Sequence, residues 1–166
     1  MGCGGTCQKK FIKYRTFSGH KVGSSSDGPS GGIKGLVLGI KEINMKITSF
    51  TDLIAWKEGH RLVLVVYSAT KIFPKEEIFG LVSQMRRCSI SITSNIAEGF
   101  SRNSWKEKLQ FYSTALGSIT ELQNQLLVSR DVGYLSKNKF NEIADQTIIV
   151  SKLVNGLIKK SRSEIS

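Results

Sequence analysis

The stretch Phe73–Arg102, FPKEEIFGLVSQMRRCSISITSNIAEGFSR, decides the fold of this chain. Pro74 marks a boundary, because proline disfavours helical backbone in the residue before it. Apolar side chains then recur at the three- and four-residue steps of one helix face, namely Leu81, Met85, Cys88, Ile92 and Ile96. We expect a helix from about Lys75 to Glu98, closed by Gly99 as a left-handed C-cap.

Before it, a helix is predicted to begin with Thr51 or Asp52 as N-cap and to run to about Phe73. Its apolar stripe is predicted to be Leu53, Trp56, His60, Val63, Tyr67 and Thr70. The run LVLVVY at 62–67 would also suit a strand, but the helical period around it outweighs that reading.

Two more helices follow. The third is predicted to start at Ser104, with Glu107 completing a capping box, and to end near Gly133. The fourth begins at Ser136. Their stripes are Trp105, Leu109, Tyr112, Leu116, Ile119, Gln123 and Leu126, then Phe140, Ile143, Thr147, Val150, Val154 and Leu157. Helices joined by short loops lie antiparallel, so the sequence predicts an all-α, up-down-up-down four-helix bundle over residues 45–166.

Residues 1–44 have a different composition, with ten of the sixteen glycines and the stretch GSSSDGPSGG at 23–32. Such a segment buries too little apolar area to offset its ordering entropy. We expect a disordered basic tail or a non-native upstream extension, with Met45 as the natural start. The apolar patch Ile33–Ile40 is too short, at eight residues, to cross a bilayer, so no membrane partner is expected.

The chain carries 24 Lys and Arg against 13 Asp and Glu, a net charge of +11. Such an excess favours RNA or DNA as a partner, although general solubility would also explain it. The three cysteines, Cys3, Cys7 and Cys88, are odd in number and lack a disulfide framework, which indicates the reducing cytoplasm.

The sequence offers little that is typical of an enzyme. His20 lies in the tail, and His60 has apolar neighbours typical of a core or interface side chain. No Glu-x-x-His pair or phosphate loop is present. Cys88 lies on the apolar stripe as a small buried hydrophobe. We therefore expect a protein without catalytic activity, cofactor or metal.

Basic residues supply the candidates for phosphate contact, which needs clustered Lys and Arg without strict order. They are Arg86, Arg102, Lys106, Lys108, Lys137, Lys139, Lys159, Lys160 and Arg162. In an antiparallel bundle, those at 102–108 and 159–162 reach the same end and could form one patch. Alternatively, those at 159–162 only complement the dipole of their own helix. No base-reading motif is present, so recognition by shape and charge is expected.

A polar stripe accompanies the apolar one on the second helix: Arg87, Ser91, Ser94, Asn95 and Glu98. It is either a solvated face or a network between helices or subunits, in which Arg87 pairs with Glu98 or Glu121. Neighbouring small residues would let another helix approach closely, so we favour an assembly network. Oligomerisation is also expected because Phe111 and Tyr112 cannot both face the core.

Short motifs in order along residues 50–160 are Ala55–Lys57, Phe73–Glu77, Gly80-Leu81, Ser83–Arg87, Ser91-Ile92, Asn95–Gly99, Gly117-Ser118, Glu121-Leu122 and Gly133–Leu135. On these residues the chain resembles the bacterial four helix bundle protein family, which is encoded by intervening sequences within large-subunit ribosomal RNA genes. The accessory variability protein of diversity-generating retroelements is similar to that family. Cys88 stands where an alanine is more usual.

The resemblance implies a four-helix bundle that assembles into a ring-like homopentamer and binds nucleic acid. It also implies a reverse transcriptase, or another nucleic-acid enzyme, as a candidate partner. No catalytic activity attaches to the family. The expected function is therefore an adaptor that binds structured RNA or DNA. The alternative is a protein-interaction scaffold without nucleic-acid binding of its own.

Overall fold

A computed structural model describes residues 47–166, in which the backbone forms four α-helices. Their bounds are α1 Ile54–Ala69, α2 Leu81–Ser101, α3 Trp105–Asp131 and α4 Lys137–Ser163. Single 3₁₀ turns lie on both sides of α1 and before α2, at Phe50–Asp52, Thr70–Ile72 and Lys75–Glu77. The tail predicted for residues 1–44 and the boundary at residue 45 lie outside the described residues.

Contacts between α2 and α3 show that the two helices are antiparallel. Ser129 donates to the Met85 sulfur near one end (3.4 Å), and the hydroxyls of Ser91 and Ser118 lie 2.9 Å apart farther along. The other neighbouring helices are antiparallel by the same criterion. Contacts of α2 with the α1 side pair Arg86 with Thr70 and Thr93 with Gly59, and contacts between α3 and α4 pair Gln123 with Thr147 and Arg130 with Phe140. For α4 and α1, Gln146 contacts Glu58, and in the segments beside these helices Tyr134 contacts Phe73. The up-down-up-down bundle is confirmed.

The core stripes of α2, α3 and α4 follow the predicted spacing. Met85, Ile92, Ile119, Leu126 and Val150 are almost fully buried. Five predicted members at the ends and edges of these stripes are only half-buried: Leu81, Trp105, Leu109, Leu116 and Leu157. Burial of the large aliphatic residues between four helices gives the bundle its apolar centre.

The stripe predicted for α1 is correct at its ends, where Leu53 and Thr70 are buried, but its four middle positions are wrong. The buried positions are Ala55, Gly59, Leu62, Val66 and Ala69, and the predicted His60 is exposed while Trp56, Val63 and Tyr67 are half-buried. Small residues face the core here because α2 approaches closely: a Cβ added at Gly59 would lie 3.1 Å from a Thr93 methyl carbon. The large amphipathic rings are displaced to the flanks, where they keep one edge in water.

The chain enters α1 differently from the prediction. Ser49, and not Thr51 or Asp52, caps the opening 3₁₀ turn by accepting from the Thr51 backbone N–H at 3.3 Å. The Asp52 carboxylate accepts from the Ser49 N–H at 2.9 Å and completes a capping box. The hydrogen bond from the Ser49 backbone N–H lowers the pKa of the Asp52 carboxyl group. The α-helix itself begins at Ile54.

The start of α2 lies six residues later than predicted, at Leu81 instead of Lys75. Gly80 has non-helical backbone angles (φ −95°, ψ −121°) and separates the preceding 3₁₀ turn from the helix. The Glu77 carboxylate accepts from the Leu81 N–H at 2.9 Å and satisfies a free donor of the first turn.

One predicted helix end is wrong: Gly99 is helical and buried within α2, so it is no C-cap. Ser104 is the N-cap residue of α3, as predicted, but its side chain makes no capping bond, so the capping box with Glu107 is not formed. Gly133 does have a left-handed backbone (φ 82°) just after α3. Ser136 caps α4 by accepting from the Lys139 backbone N–H.

Candidate nucleic-acid interface

Most of the residues predicted to contact nucleic acid lie at one end of the bundle, where α2 and α4 end and α3 begins. We call this group the basic end: Arg102, Lys106, Lys108, Lys159, Lys160 and Arg162. The N-terminus of α3 lies there too, and its free backbone N–H groups carry partial positive charge. Clustered cations beside a helix N-terminus are typical of a surface that attracts phosphate.

Three members of the basic end are available to a ligand. Lys106, Lys159 and Arg162 are exposed, and none has an ion-pair partner among residues 47–166. Lys160 is also exposed but forms a close ion pair with Glu164. Exposed pairs of this kind contribute about 0.3–0.5 kcal/mol, so a phosphate could displace the glutamate at small cost.

Arg102 is held by neighbours at this end. Its guanidinium ion-pairs with Glu98 one turn back and lies 4.8 Å above the Phe111 ring. Phe111 is half-buried while Tyr112 fills the core, so the two adjacent aromatics do face different environments. Arg102 therefore orders the junction between α2 and α3 and only partly faces solvent.

Lys108 closes the C-terminus of α2. Its ammonium donates to the carbonyl oxygens of Phe100 (2.8 Å) and Gly99 (3.3 Å) and lies 5.7 Å from the Trp105 ring. Partial burial lowers the pKa of this amine. These bonds satisfy carbonyls that the helix leaves free, which makes Lys108 a helix-capping residue more than a phosphate ligand.

The other predicted cations lie at the opposite end of the bundle. Arg86 precedes Arg102 by sixteen residues on the same helix, or about 24 Å of rise. Its Nε donates to the Thr70 hydroxyl at 2.9 Å, and its guanidinium lies 4.9 Å from the Tyr67 ring centre. Lys137 and Lys139 lie in the first turn of α4, which begins at this same end of the bundle. Arg86 therefore cannot belong to the same patch as the basic end.

The polar stripe on α2 forms only part of the predicted network. The Asn95 amide donates to the Ser91 carbonyl (2.8 Å) and hydroxyl (3.1 Å), and that hydroxyl lies 2.9 Å from the one of Ser118 on α3. In the described chain Arg87 donates to Gln84 at 2.7 Å, so its predicted pairing with Glu98 or Glu121 is not made. A part in assembly remains a prediction.

Glu98 and Glu121 have other partners. Glu98 accepts from Arg102, as above, because the two are four residues apart on one helix face. Glu121 accepts from the Gln125 amide at 3.3 Å, and the same amide lies 3.5 Å from the Cys88 sulfur. Burial, and then the nearby Glu121, raise the Cys88 pKa to about 11. The thiol is therefore neutral at physiological pH.

Side chains that often carry chemistry are dispersed. His60 is exposed and stacks on Trp56 with ring centres 5.1 Å apart, so its predicted core or interface position is not seen within one chain. Between residues 47 and 166, no three His, Cys, Asp or Glu residues lie close enough to hold a metal ion. In the same residues, no helix combines the length and apolarity that membrane spanning requires.

A groove that the sequence analysis did not identify lies at the end opposite the basic end. It has a volume of about 770 Å³ and is bounded by the end of α1, the segment before α2, and the first turns of α2. Phe79 extends into solvent beside it with 93% of its surface exposed. The signal available in the sequence was Ile78-Phe79 before Gly80, which falls outside the apolar stripe of α2.

The sequence matches one protein family over most of the bundle. The model of the 23S rRNA-intervening sequence protein family matches residues 51–156, which cover all four helices from α1 to most of α4. The chain belongs to this family. The family predicted from the sequence motifs is thereby confirmed.

This member of the 23S rRNA-intervening sequence protein family also has a structural relative. A protein of unknown function from the S23 ribosomal protein family of Bacteroides thetaiotaomicron, solved by crystallography, is 19% identical with a TM-score of 0.60. The match covers 65% of this chain and 97% of that one. At this identity the likeness shows the fold. No curated protein matches the chain, and its kinship with the retroelement accessory protein remains a prediction.

Proposed function

We propose that this protein is a homo-oligomeric, non-catalytic adaptor of the cytoplasm that binds structured RNA or DNA through the basic end. The observation that carries the proposal is the exposure of Lys106, Lys159 and Arg162 without carboxylate partners beside the N-terminus of α3. Residues 47–166 contain sixteen Lys and Arg against eleven Asp and Glu, so the bundle itself has a net charge of +5. This charge would attract a phosphate backbone from a distance.

The chemistry of the basic end favours recognition of shape and charge. Its available groups are long, flexible cations that contact phosphates without reading base edges. Direct readout would need a helix or ribbon that enters a groove with side chains fixed toward the bases. Here Arg102, the guanidinium with a fixed orientation, is held by Glu98 and Phe111. Affinity should therefore depend strongly on salt and weakly on sequence.

Oligomerisation is supported by the outer face of α1. The core side of this helix is formed by Leu62 and Val66, yet Leu64 points outward with 58% of its surface exposed, and Ile54 is 65% exposed. Apolar side chains that remain this exposed are candidates for a contact with another protein chain. We propose that α1 packs against another copy of the chain, in a ring such as the family resemblance implies. Several basic ends on one particle would strengthen binding through avidity.

The test is binding of the full-length protein to a structured RNA and to duplex DNA at about 50 to 200 mM salt. The affinity of the wild type should fall about tenfold or more over this range, because contacts with phosphate release counterions. The double variant Lys106→Glu/Arg162→Glu should lose most of the remaining affinity, since both side chains are exposed and neither has an ion-pair partner among residues 47–166.

The matched control is Lys71→Glu/Lys75→Glu, which makes the same change of charge with exposed residues at the opposite end. It should bind nucleic acid within about threefold of the wild type, which is the difference that the change in overall charge alone should make. Equal losses in both double variants would mean that net charge, and not the basic end, governs binding. No binding at low salt would reject the proposal.

A second candidate function is favoured by the groove at the opposite end. Exposed apolar side chains such as Phe79 have no use in phosphate binding, and patches of this kind usually mark contacts with other proteins. In this alternative the bundle is a scaffold for a protein such as a reverse transcriptase. Protein binding through the groove and nucleic-acid binding through the basic end are separable, because the two surfaces lie at opposite ends.

A further inference from the structure

The groove between α1 and α2 combines an apolar floor with exposed apolar walls. Val82 and Phe73 are buried beneath it, while Ile78, Phe79 and Ile90 line it and remain largely in contact with water. Covering side chains of this size contributes about 1.5–3 kcal/mol each. The groove is large enough for several side chains of a partner, since pockets of about 300–1,000 Å³ bury most of a bound group.

Four cations line the same groove: Lys71, Lys75, Arg86 and Arg87. Among residues 47–166 none of them is paired with a carboxylate, and none of the groove-lining side chains is acidic. The nearby Glu77 is already bound to the Leu81 N–H and lies 3.4 Å from the Tyr134 hydroxyl. Positive charge here is therefore uncompensated within the described chain.

Arg86 is fixed in place before any partner arrives. Its bond to Thr70 and its contact with the Tyr67 ring hold the guanidinium at the groove, so less side-chain entropy is lost on binding. Lys71 and Lys75 line the groove from the segment that joins α1 to α2. A ligand in the groove would therefore have cations from both this segment and α2 around it.

We propose that this groove docks an acidic amphipathic helix of a partner protein. Apolar residues at i, i+3 or i+4, and i+7 of that helix would cover Ile78, Phe79 and Ile90, and its Glu or Asp residues would face the cations. Charge complementarity carries the choice of occupant. A second copy of this chain is less suited, because the bundle is itself basic and like charges would meet. Nucleic acid is less suited because two of these three exposed side chains are aliphatic and offer no ring on which bases stack.

This inference specifies the partner chemistry of the second candidate function and does not depend on nucleic-acid binding at the basic end. The probe is a fluorescein-labelled helical peptide of about sixteen residues with Leu at the i, i+4, i+7 and i+11 positions and Glu on the other face. The control peptide replaces every Glu with Lys. With the full-length protein, fluorescence anisotropy should show micromolar binding of the Glu peptide and at least tenfold weaker binding of the Lys peptide.

Two groove variants locate the binding. Phe79→Ser removes a side chain that makes almost no contact with the rest of residues 47–166, so the bundle should still fold. This variant should bind the Glu peptide about tenfold more weakly. Lys71→Glu/Lys75→Glu should weaken it by a similar factor. Lys106→Glu/Arg162→Glu, at the other end, should bind the peptide within about threefold of the wild type, as expected for a change in long-range charge alone.

Three results would overturn the proposal. Equal binding of the Glu and Lys peptides, or no binding of either, would remove the acidic partner. Dissociation of the native oligomer by Phe79→Ser would show that the groove is an interface between copies of this chain. Loss of RNA affinity in the groove variants, with the peptide unaffected, would assign the groove to nucleic acid.

Discussion

Gly99 leaves room for the ring of Tyr112, a role that its position in the sequence does not indicate. It ends the motif Asn95–Gly99 and resembles a helix cap, but a Cβ at this position would lie 2.5 Å from Cε1 and 2.9 Å from Cδ1 of Tyr112. Tyr112 is buried, so its ring has no room to withdraw. The glycine is required because the Tyr112 ring of α3 packs directly against it, and not because the backbone turns.

Replacing Gly99 with alanine should therefore destabilise the protein. We expect Gly99→Ala to lower the free energy of unfolding by about 1–3 kcal/mol through overpacking, despite the better helix propensity of alanine. Gly117→Ala is the matched control, since it lies within α3 with no atom within 4 Å of the added Cβ. It should raise stability by about 0.5–1 kcal/mol. Urea unfolding of both variants tests this, and a stabilised Gly99→Ala would contradict the packing argument.

Cys88 should make stability depend on alkaline pH. Burial, followed by the adjacent Glu121, raises its pKa from 9.0 to about 11, whereas the unfolded thiol ionises near its ordinary value. Between these two values the folded state binds more protons than the unfolded state. The contribution of Cys88 to stability is therefore complete below about pH 9 and is lost as the pH rises toward 11.

The comparison to make is urea unfolding of the wild type and Cys88→Ala from pH 8 to pH 11. The variant will be less stable at pH 8 because it leaves a small cavity. As the pH rises to 11, the free energy of unfolding of the variant should fall less steeply than that of the wild type. The difference between the two free energies should therefore change by about 2 kcal/mol in favour of the variant. Tyrosine and lysine residues titrate in both proteins, so they cancel from the difference. Parallel curves would show that the thiol does not contribute.

At the scale of the helix, α1 shows where hydrophobic periodicity misleads. A pattern based on side-chain hydrophobicity ranks Trp56 and Tyr67 above Ala55 and Gly59, but helices that approach closely need small residues between them. The other three helices bury large aliphatic side chains, so their spacing predicted the core correctly. The starts of α1 and α2 were harder to predict, because Ser49 and Glu77 cap turns that the apolar pattern does not mark.

The outer face of α1 gives a direct test of assembly. Leu64→Glu introduces a charge at the most exposed position of the run at 62–67. In a monomer this charge would face water, but at an interface between copies it would be buried at a large cost in free energy. Light scattering on the full-length wild type should show an oligomer, and Leu64→Glu should shift it to the monomer.

Phe79→Ser is the control for that experiment, because it removes a more exposed apolar side chain that lies on the segment before α2 and not on α1. It should leave the oligomer intact. A monomeric wild type at micromolar concentration would count against any ring, and an oligomer that survives Leu64→Glu would place the interface on another face.

For the molecule as a whole, the sequence predicted which cations share an end but not which are available. The antiparallel order of the helices is sufficient to bring the residues at 102–108 and 159–162 together. The engagement of Lys108 with free carbonyls and of Arg102 with Phe111 depends on side-chain packing that spacing does not reveal. The groove was missed because its cations come from one helix and a connecting segment, and neither part indicates a site by itself.

The arrangement of the helices also bears on how residues 47–166 reach their fold. Each helix packs against the one that follows it, so most native contacts form after only a short loop has closed, and α4 against α1 is the pairing that must join distant parts of this region. Proteins dominated by such local contacts fold within microseconds to milliseconds. A nascent chain could therefore complete the α2–α3 hairpin while α4 is still being synthesised, and the last event would be the docking of α4 onto α1.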